Sequence, residues 1–325
     1  MKLPRRNFLH LTARAAALPA ASRFAFAQAY PTRPVRIIAP TGPAGAPDII
    51  ARLIGPWLSQ RLGQQFVVEN RPGSGNNIGT EAVVRAAPDG YTLLITSSSN
   101  TINATLYDKL NFVFLRDIAA VAGIISLPFV MVVNPSVPAK TVPEFIAHAK
   151  ANPGKISFGS PGIGTPGHVA GELFKMMAGV ELIHVPYRGG GAVVSDLLGG
   201  QVQVLFGTTS LTAEQVRAGK LRALAVTGAT RWEGPPDIPT VGDFVFGYET
   251  SSLFGLSAPK QTPAAIIDRL NREINAALDD PTLKRRLIDL GGTLLAGSPA
   301  EFGKLLADDT EKWGKVIRTA NIKAE

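Results

Sequence analysis

The segment with the clearest chemical potential is glycine-rich and runs from Gly159 to His168, between a predicted strand and a predicted helix. Residues 162–167 within it match the pattern GxGxxG. A dinucleotide-binding turn of this type needs an acidic residue about 20 positions further on, at the end of the next strand, to hold the ribose. That strand ends in Val185-Pro186-Tyr187 without an acid, so the pattern does not predict a nucleotide site.

The same segment offers hydrogen-bond donors that suit a small anion. A glycine-rich turn lets backbone N–H groups face a ligand at a helix N-terminus, where the partial positive charge favours an anion. Ser160, Thr165 and His168 add side-chain donors. Each charge-assisted hydrogen bond contributes roughly 1.5–3 kcal/mol, so a few of them can hold a carboxylate. The alternative is a tight turn whose glycines serve backbone geometry alone.

Similar loops between a strand and a helix recur at Thr41–Pro47, Gly73–Gly79 and Arg188–Gly191. Such loops lie at the carboxyl ends of strands in open α/β sheets, so we expect loops from two halves of the chain to face each other. The polar run Thr96–Asn100 reaches the same edge, or is a solvated loop. The candidate ligand-binding residues are Gly42, Ala44, Gly45, Ser98, Asn100, Ser160, Gly162, Gly164, Thr165, His168, Tyr187 and Thr208.

Signatures of catalysis and of metal binding are scarce in this chain. It contains no GxSxG, no GxxxxGK[ST] and no HExxH pattern. His168 is the one well-placed histidine, and no Ser–His–acid order accompanies it. The 325 residues include no cysteine, which excludes disulfides, thiolate nucleophiles and cysteine-ligated metals. We predict no catalytic residue, metal or cofactor, and keep open a secreted α/β hydrolase or lyase that uses His168.

Residues 1–27 have the character of a signal peptide, with a basic start, an apolar stretch and small residues at Ala25 and Ala27. Arg5-Arg6 followed by Asn-Phe-Leu fits the twin-arginine export pattern, and an ordinary basic start is the alternative. The formal net charge is +8, but five of the basic residues lie in this segment, so only +3 remains. That spread-out charge is too weak to predict a nucleic-acid partner, and we expect a soluble periplasmic protein.

Two copies of a strand–helix pattern must position these loops. Strands predicted at Val35–Ala39, Gln65–Glu69 and Tyr91–Thr96 alternate with helices, which is typical of a parallel sheet. The pattern begins again near residue 128, and the tail after residue 250 carries one strand and three helices. We therefore predict an α/β protein with two lobes, residues 28–125 with 240–325 and residues 126–239, each a mostly parallel sheet flanked by helices. The chain would cross between them near residues 120–128 and 228–256, which makes a hinge.

Seven stretches of the sequence closely resemble the Bug-type solute-binding proteins of tripartite tricarboxylate transporters. Each is a weak signal alone, but together they are specific and cover essentially the whole chain after residue 27. The stretches are Pro31–Arg36, Glu69–Glu81, Ala87–Leu93, Gly159–His168, His184–Gly189, Gly199–Val202 and Ala218–Ala225.

The resemblance implies a type II-like periplasmic binding protein that acts as a monomer, closes around a small carboxylate and delivers it to membrane transporter subunits. A ligand-binding partner of a membrane sensor shares this fold and stays an alternative. In the family, the loop after the first strand usually reads Pro-Phe-x-x-Gly-Gly-x-x-Asp, whereas here Thr41 replaces the aromatic residue and Ala44 a glycine. Gly207-Thr208-Thr209 stands where the family often carries an acidic or amide residue, which removes an anchor for an ammonium group.

Overall fold

The computed structural model describes residues 30–231 and 238–324. The predicted signal peptide, its cleavage site and part of the proline-rich stretch at 234–239 lie outside the described residues. The strands are β1 (Val35–Ala39), β2 (Phe66–Asn70), β3 (Thr92–Ser97), β4 (Ile118–Val133), β5 (Ile156–Ser160), β6 (Leu182–Pro186), β7 (Val204–Thr208), β8 (Arg222–Val226), β9 (Ser251–Pro259) and β10 (Thr293–Leu294).

Helices alternate with these strands along most of the chain. They are α1 (Ala46–Leu62), α2 (Asn77–Val84), α3 (Ser98–Leu106), α4 (Phe114–Asp117), α5 (Val142–Ala151), α6 (Pro166–Ala178), α7 (Gly190–Leu198), α8 (Thr209–Arg217), α9 (Ala264–Asp279), α10 (Pro281–Ile288) and α11 (Pro299–Thr319). Within the described ranges, no helix combines the length and the apolar character needed to cross a membrane.

The strands form a mixed sheet in the order β2-β1-β3-β9-β4-β7-β5-β6, with β8 and β10 also paired to β4. Pairs joined through helices are parallel: β1 with β2 and β3, and β5 with β6 and β7. By contrast, β4 and β9 run antiparallel to each other and to the strands beside them. The predicted two-lobed α/β fold is confirmed, and the antiparallel pairs arise because β4 and β9 belong to the crossings between the lobes.

The hinge lies where β4 changes its pairing partner. Pro128 pairs with Ser251 of β9, and the next residue, Phe129, pairs with Thr208 of β7. The second crossing is fastened to the first by Thr227, whose Oγ1 accepts a hydrogen bond from the Phe129 N–H at 2.8 Å and donates to a backbone carbonyl at 2.7 Å. The predicted hinge of two crossings is therefore confirmed, while the lobe boundaries by residue number stay a prediction.

Each lobe has its own hydrophobic core. In the first lobe, α1 and α9 cover the sheet with side chains such as Ile54 and Ile274, which are fully buried. In the second lobe, Phe158, Phe174 and Phe206 pack together. Full burial of such a side chain contributes about 1.5–3 kcal/mol, so either core can hold its loops in place. The carboxyl ends of the strands are thereby rigidly presented to the space between the lobes.

Three helices, α3, α4 and α8, were not predicted from the sequence. The Thr141 side chain caps α5 by accepting a hydrogen bond from the Glu144 N–H at 3.3 Å. The polar run at 96–100, expected to be a loop, instead enters helix α3, and α8 was not predicted at all. Both helices begin with Ser and Thr, which are poor helix formers, and contacts with neighbouring elements outweigh that preference.

Candidate ligand-binding site

A cavity of about 560 Å³ lies between the lobes. The first lobe contributes the β1–α1 loop and the start of α3, and the second lobe contributes the first residues of α6, α7 and α8. The crossing strands β4 and β9 contribute Leu127–Phe129, Ser252 and Phe254. Among the described residues that line this cavity, none is Asp, Glu, Lys, Arg or His.

Helix N-termini supply the polar character that charged side chains do not. The cavity is lined by Gly45 at the start of α1, Ser97 at α3, Thr165 at α6, Gly190 at α7 and Thr208 at α8. N–H groups in the first turn of a helix have no partner within the helix, and the helix dipole adds partial positive charge. The cavity thus faces the N-termini of five helices, whose partial positive charge suits an anion.

The β1–α1 loop is held in shape by a buried carboxylate. Ala44 has a φ of +63°, in the left-handed region, and its N–H donates to Asp48 Oδ2 at 2.9 Å. Asp48 also accepts hydrogen bonds from Arg52 and Asn70 at 2.9 Å each. Burial opposes ionisation, but these hydrogen bonds outweigh it and hold the pKa of Asp48 below its usual range. The negative charge of Asp48 is therefore compensated within the loop, and Asp48 does not line the cavity.

In the loop before α6, the glycine-rich segment uses most of its donors internally. The Gly164 N–H donates to His168 Nδ1 at 3.0 Å, and Thr165 Oγ1 donates to the Gly162 carbonyl at 2.8 Å. The next glycine, Gly167, does line the cavity, and a Cβ there would meet the Phe206 carbonyl oxygen at 2.6 Å. The close approach of α6 to β7 therefore requires glycine at 167.

His168 was predicted to contact the ligand, but it lies outside the cavity lining. His168 is buried and absent from the cavity lining, and its ring stacks on His184 with centroids 3.6 Å apart. Burial, with smaller contributions from His184 and Lys175, lowers the pKa of His168 to about 3. Burial and Lys175 lower that of His184 to about 4, and its Nε2 lies 2.7 Å from Ser160 Oγ. The pair is therefore neutral at physiological pH. It stabilises the loop through the hydrogen bonds of His168 to the Gly164 N–H and of His184 to Ser160.

Four of the predicted ligand-binding residues line the cavity: Ala44, Gly45, Thr165 and Thr208. The other eight do not: Gly42, Ser98, Asn100, Ser160, Gly162, Gly164, His168 and Tyr187. Several of these have polar groups committed to other partners.

The committed partners are specific. Ser98 Oγ accepts a hydrogen bond from the Leu253 N–H at 2.9 Å, and Asn100 Nδ2 donates to Thr80 Oγ1 at 2.6 Å. Tyr187 donates to Asp196 at 2.7 Å, and burial together with that hydrogen bond raises the pKa of Tyr187 to about 12. These side chains build the walls behind the cavity and do not reach into it.

Sequence reasoning missed several polar residues that do line the cavity, among them Asn76, Ser97, Ser99, Thr209 and Ser210. The hydroxyls of Thr41 and Ser97 are buried without a hydrogen-bond partner, and both residues line the cavity. The signal was present at Ser97, because an N-cap after a strand presents its side chain at the helix start. Recognising α3 and α8 as helices would have moved the prediction to these residues.

The family model described as the tripartite tricarboxylate transporter family receptor matches residues 50–322. A protein encoded in the tcbD–tcbE intergenic region of Pseudomonas sp. (strain P51) is 37% identical over 298 residues, which span 91% of this chain and 89% of that protein. Protein BugT of Bordetella pertussis is 35% identical over 300 residues, which span 91% of this chain and 92% of BugT.

A solved structure of similar fold is that of Rhodopseudomonas palustris Rpa4515 with adipate. It has a TM-score of 0.81 and 34% identity, and the match covers 90% of this chain and 99% of the other. MatC from the same species, with bound malate, has a TM-score of 0.76 and 27% identity, with 89% of this chain and 100% of the other covered. The chain therefore belongs to the Bug-type receptors of the tripartite tricarboxylate transporter family, which are periplasmic solute-binding proteins.

Proposed function

We propose that this protein captures a small carboxylate in the cavity between its lobes and delivers it to the membrane subunits of a tripartite transporter. The observation that carries the proposal is the convergence of helix N-termini from both lobes on one cavity, where no charged side chain is found among the described lining residues. Adipate and malate, bound to Rpa4515 and MatC, are both carboxylates. A tripartite transporter is proposed as the partner because the matching family consists of receptors of tripartite tricarboxylate transporters.

The composition of the lining favours an anion over a cation or an amino acid. An ammonium group that enters the cavity would lose its water without meeting a carboxylate, which is unfavourable. A carboxylate instead meets helix N-termini and the unpartnered hydroxyls of Thr41 and Ser97, where charge-assisted hydrogen bonds contribute about 1.5–3 kcal/mol each.

Closure of the lobes is the functional event in this proposal. The helix N-termini that line the cavity are divided between the lobes, with Gly45 and Ser97 at the starts of α1 and α3 and Thr165 and Thr208 at the starts of α6 and α8, so one ligand can contact both sets only when the lobes approach. A ligand shifts the population toward the closed form by its differential affinity for the two forms. Since both walls come from one chain, we propose that a monomer suffices.

The proposal is tested with a panel of organic acids, sugars and cations in thermal-shift and calorimetric titrations of the purified protein. At a hundredfold excess over its dissociation constant, a true ligand stabilises the folded state by about 2.7 kcal/mol. Small-angle scattering should then show a smaller radius of gyration with the acid than without it. Stabilisation by sugars or cations alone would refute the carboxylate proposal.

We also propose that the protein performs no catalysis. His168, the base considered for a hydrolase or lyase, has a pKa near 3 and does not line the cavity. Prolonged incubation with the bound acid, followed by mass spectrometry, should return the acid unchanged. A new product that depends on His168 would instead identify an enzyme.

For location, we propose export to the periplasm with a mature chain that begins near Gln28, since Ala25 and Ala27 frame a cleavage position. N-terminal sequencing of the exported protein tests this start. Replacing Arg5 and Arg6 together by Lys should stall export if the twin-arginine route is used. Normal export of that variant would indicate the general secretion route.

A further inference from the structure

Helix α11 carries a buried carboxyl group, that of Asp309, which is not part of the cavity lining. Asp309 is 8% exposed, and its Oδ2 lies 2.6 Å from the hydroxyl oxygen of Thr101 in the first turn of α3. Burial of an ionised carboxyl group is costly unless a cation compensates it, so such a group often stays protonated. The protonation state of Asp309 therefore bears on how α11 contacts α3.

The hydrogen-bond geometry around Thr101 indicates that Asp309 carries a proton. Thr101 Oγ1 lies 2.8 Å from the Ser98 carbonyl oxygen as well as 2.6 Å from Asp309 Oδ2. A hydroxyl group has one proton to donate, whereas a carbonyl oxygen and a carboxylate can only accept. Both contacts can be hydrogen bonds only if Thr101 donates to the carbonyl and Asp309 donates to Thr101.

The surroundings of Asp309 also favour the neutral acid. Burial raises the pKa of Asp309 above its usual range. Hydrogen bonds from Thr101 and Ser98 and the nearby charge of Lys312 oppose this shift without cancelling it. The direction of the pKa shift thus agrees with the proton that the geometry places between Asp309 and Thr101.

The charged groups on the elements around Asp309 have partners of their own. The ammonium group of Lys312, one turn further along α11, donates to the Glu249 carbonyl in the second crossing between the lobes. On α6, Glu172 is paired with Lys175 at 2.8 Å, and the sequence of α3 contains no titratable side chain. Helix α11 is therefore joined both to the start of α3 and to a crossing between the lobes.

The first turn of α3 bounds the cavity, so its position bears on ligand capture. Ser97 and Ser99 line the cavity, whereas Ser98 accepts a hydrogen bond from the Leu253 N–H at 2.9 Å. Strand β9 thus holds this turn through Ser98, and α11 holds it through Asp309. Loss of either contact would let the cavity-lining serines move.

We propose that Asp309 is a positioning residue that stays protonated in the folded protein, donates to Thr101 and thereby fixes the cavity-lining turn of α3 for ligand capture. The effect on capture rests on the proposed function, whereas the proton and the contact with Thr101 do not. Because the acid is neutral, it fixes the turn without placing a negative charge behind a cavity proposed to bind an anion.

Infrared spectroscopy of the purified protein without ligand tests the proton directly. Wild type at neutral pH should show the carbonyl stretch of a protonated carboxyl group, and Asp309→Asn should lose it. Asp308→Asn changes the adjacent exposed carboxylate, which is paired with Lys304, and is the matched control that should keep the band. A wild-type spectrum without the band, or a band that Asp309→Asn retains, would overturn the inference.

Amide hydrogen exchange, also without ligand, tests the positioning. Asp309→Asn keeps a donor for Thr101 in the shape of the neutral acid, so exchange at the start of α3 should match wild type. Asp309→Ala removes the donor, and exchange there should rise about tenfold while that of α5 stays unchanged. Thr101→Ala removes the acceptor and serves if Asp309→Ala folds poorly. Unchanged exchange in both truncated variants, or a rise in Asp309→Asn, would contradict the inference.

Calorimetric titrations with adipate and malate connect the turn to capture. Asp309→Asn should bind within about threefold of wild type, whereas Asp309→Ala should bind about tenfold more weakly, because the binding-competent turn is less populated. If Asp309→Asn binds as weakly as Asp309→Ala, capture requires the ionised group and the inference is wrong. If wild type binds no acid of the wider panel, the proposed function fails, while the infrared and exchange results still decide this inference.

Discussion

The two lobes meet in two regions of opposite character. In the cavity, the facing surfaces carry backbone amides and side-chain hydroxyls, and the hydroxyl of Ser97 has no hydrogen-bond partner. In the second region, which we call the apolar contact, α3 and α11 of the first lobe meet α6 of the second. Its members are Ile102, Leu106, Val169, Trp313, Val316 and Ile317, all at most 5% exposed.

The difference shows how one chain can join two lobes and still keep a site open between them. In the apolar contact, the protein supplies both surfaces, and burial of apolar area holds them together. In the cavity, the hydroxyls of Thr41 and Ser97 lack protein partners, so their hydrogen bonds are available to a ligand. Stability and binding should therefore respond to different substitutions.

The loop before α6 connects the two regions. Gly164 has a φ of +71°, and a Cβ there would lie 2.0 Å from Leu106 Cδ2 of the apolar contact. Its N–H is bonded to His168, while the next residue, Thr165, lines the cavity. A shift of the loop before α6 relative to α3 would therefore change both the packing of the apolar contact and the lining of the cavity.

Truncation of the apolar contact should give the largest effect on stability. Trp313 is fully buried there, so Trp313→Ala should lower the free energy of unfolding by about 3–5 kcal/mol. Urea unfolding measures this, with the exposed Leu305→Ala on the same helix as the control, expected to change stability by no more than about 0.5 kcal/mol. A loss below about 1 kcal/mol would show that the contact contributes little.

The histidine pair should make stability fall in mild acid. In the unfolded chain, histidine takes up a proton near pH 6.5, whereas His168 and His184 stay neutral in the folded protein down to about pH 3 and 4. The unfolded state therefore binds more protons below pH 6.5, and stability falls by up to about 1.4 kcal/mol per pH unit for each ring. Urea unfolding at several values between pH 7 and 4.5 follows this loss.

Variants assign the acid effect to the pair. His184→Asn removes one of the two rings and should flatten the pH dependence, whereas His148→Gln, on the separate helix α5, should keep it. Glu172 and Lys175 of α6 are the charged groups near His168, with Glu172 Oε1 3.8 Å from its Nε2. Identical pH profiles for wild type and both variants would mean that other groups cause the loss.

The adjacent residues Ser97 and Ser98 allow ligand binding to be tested separately from stability. Ser97→Ala removes a hydroxyl without a partner, so stability should hold while ligand binding weakens roughly two- to tenfold. Ser98→Ala leaves the Leu253 N–H unpaired and should lower stability by about 1–3 kcal/mol. Unfolding and titration experiments on both variants test this reversal, and equal stability losses would contradict it.

The smallest expected effect is relief of strain at Ala44. Its φ of +63° is unfavourable for alanine, so Ala44→Gly should raise stability by up to about 1 kcal/mol. Ala46→Gly, two residues on at the first position of α1, relieves no left-handed conformation and should not raise stability. If both changes destabilise the protein, the left-handed conformation at Ala44 carries no strain that glycine can relieve.

Sequence reasoning located the loops well and the ligand-facing side chains poorly. All five residues of β1 were predicted, and β2 and β3 were predicted to within one residue at each end, from local signals such as hydrophobic patterning, prolines and glycines. These signals act over a few residues and are therefore legible in the sequence. By contrast, His168 was predicted as a donor to the ligand, and its ring turned out to stack on His184 from another strand.

What the sequence by itself determined was the order of elements, the repeated strand–loop–helix unit, the absence of cysteine chemistry and the family resemblance. Only the tertiary structure decided which donors remain free. Ser98 Oγ accepts a hydrogen bond from the N–H of Leu253, which lies in β9, far along the chain. The hydroxyl of the neighbouring Ser97 has no hydrogen-bond partner and lines the cavity. Hydrogen-bonding capacity belongs to the residue type, but whether it is already used depends on partners that folding brings from far along the chain.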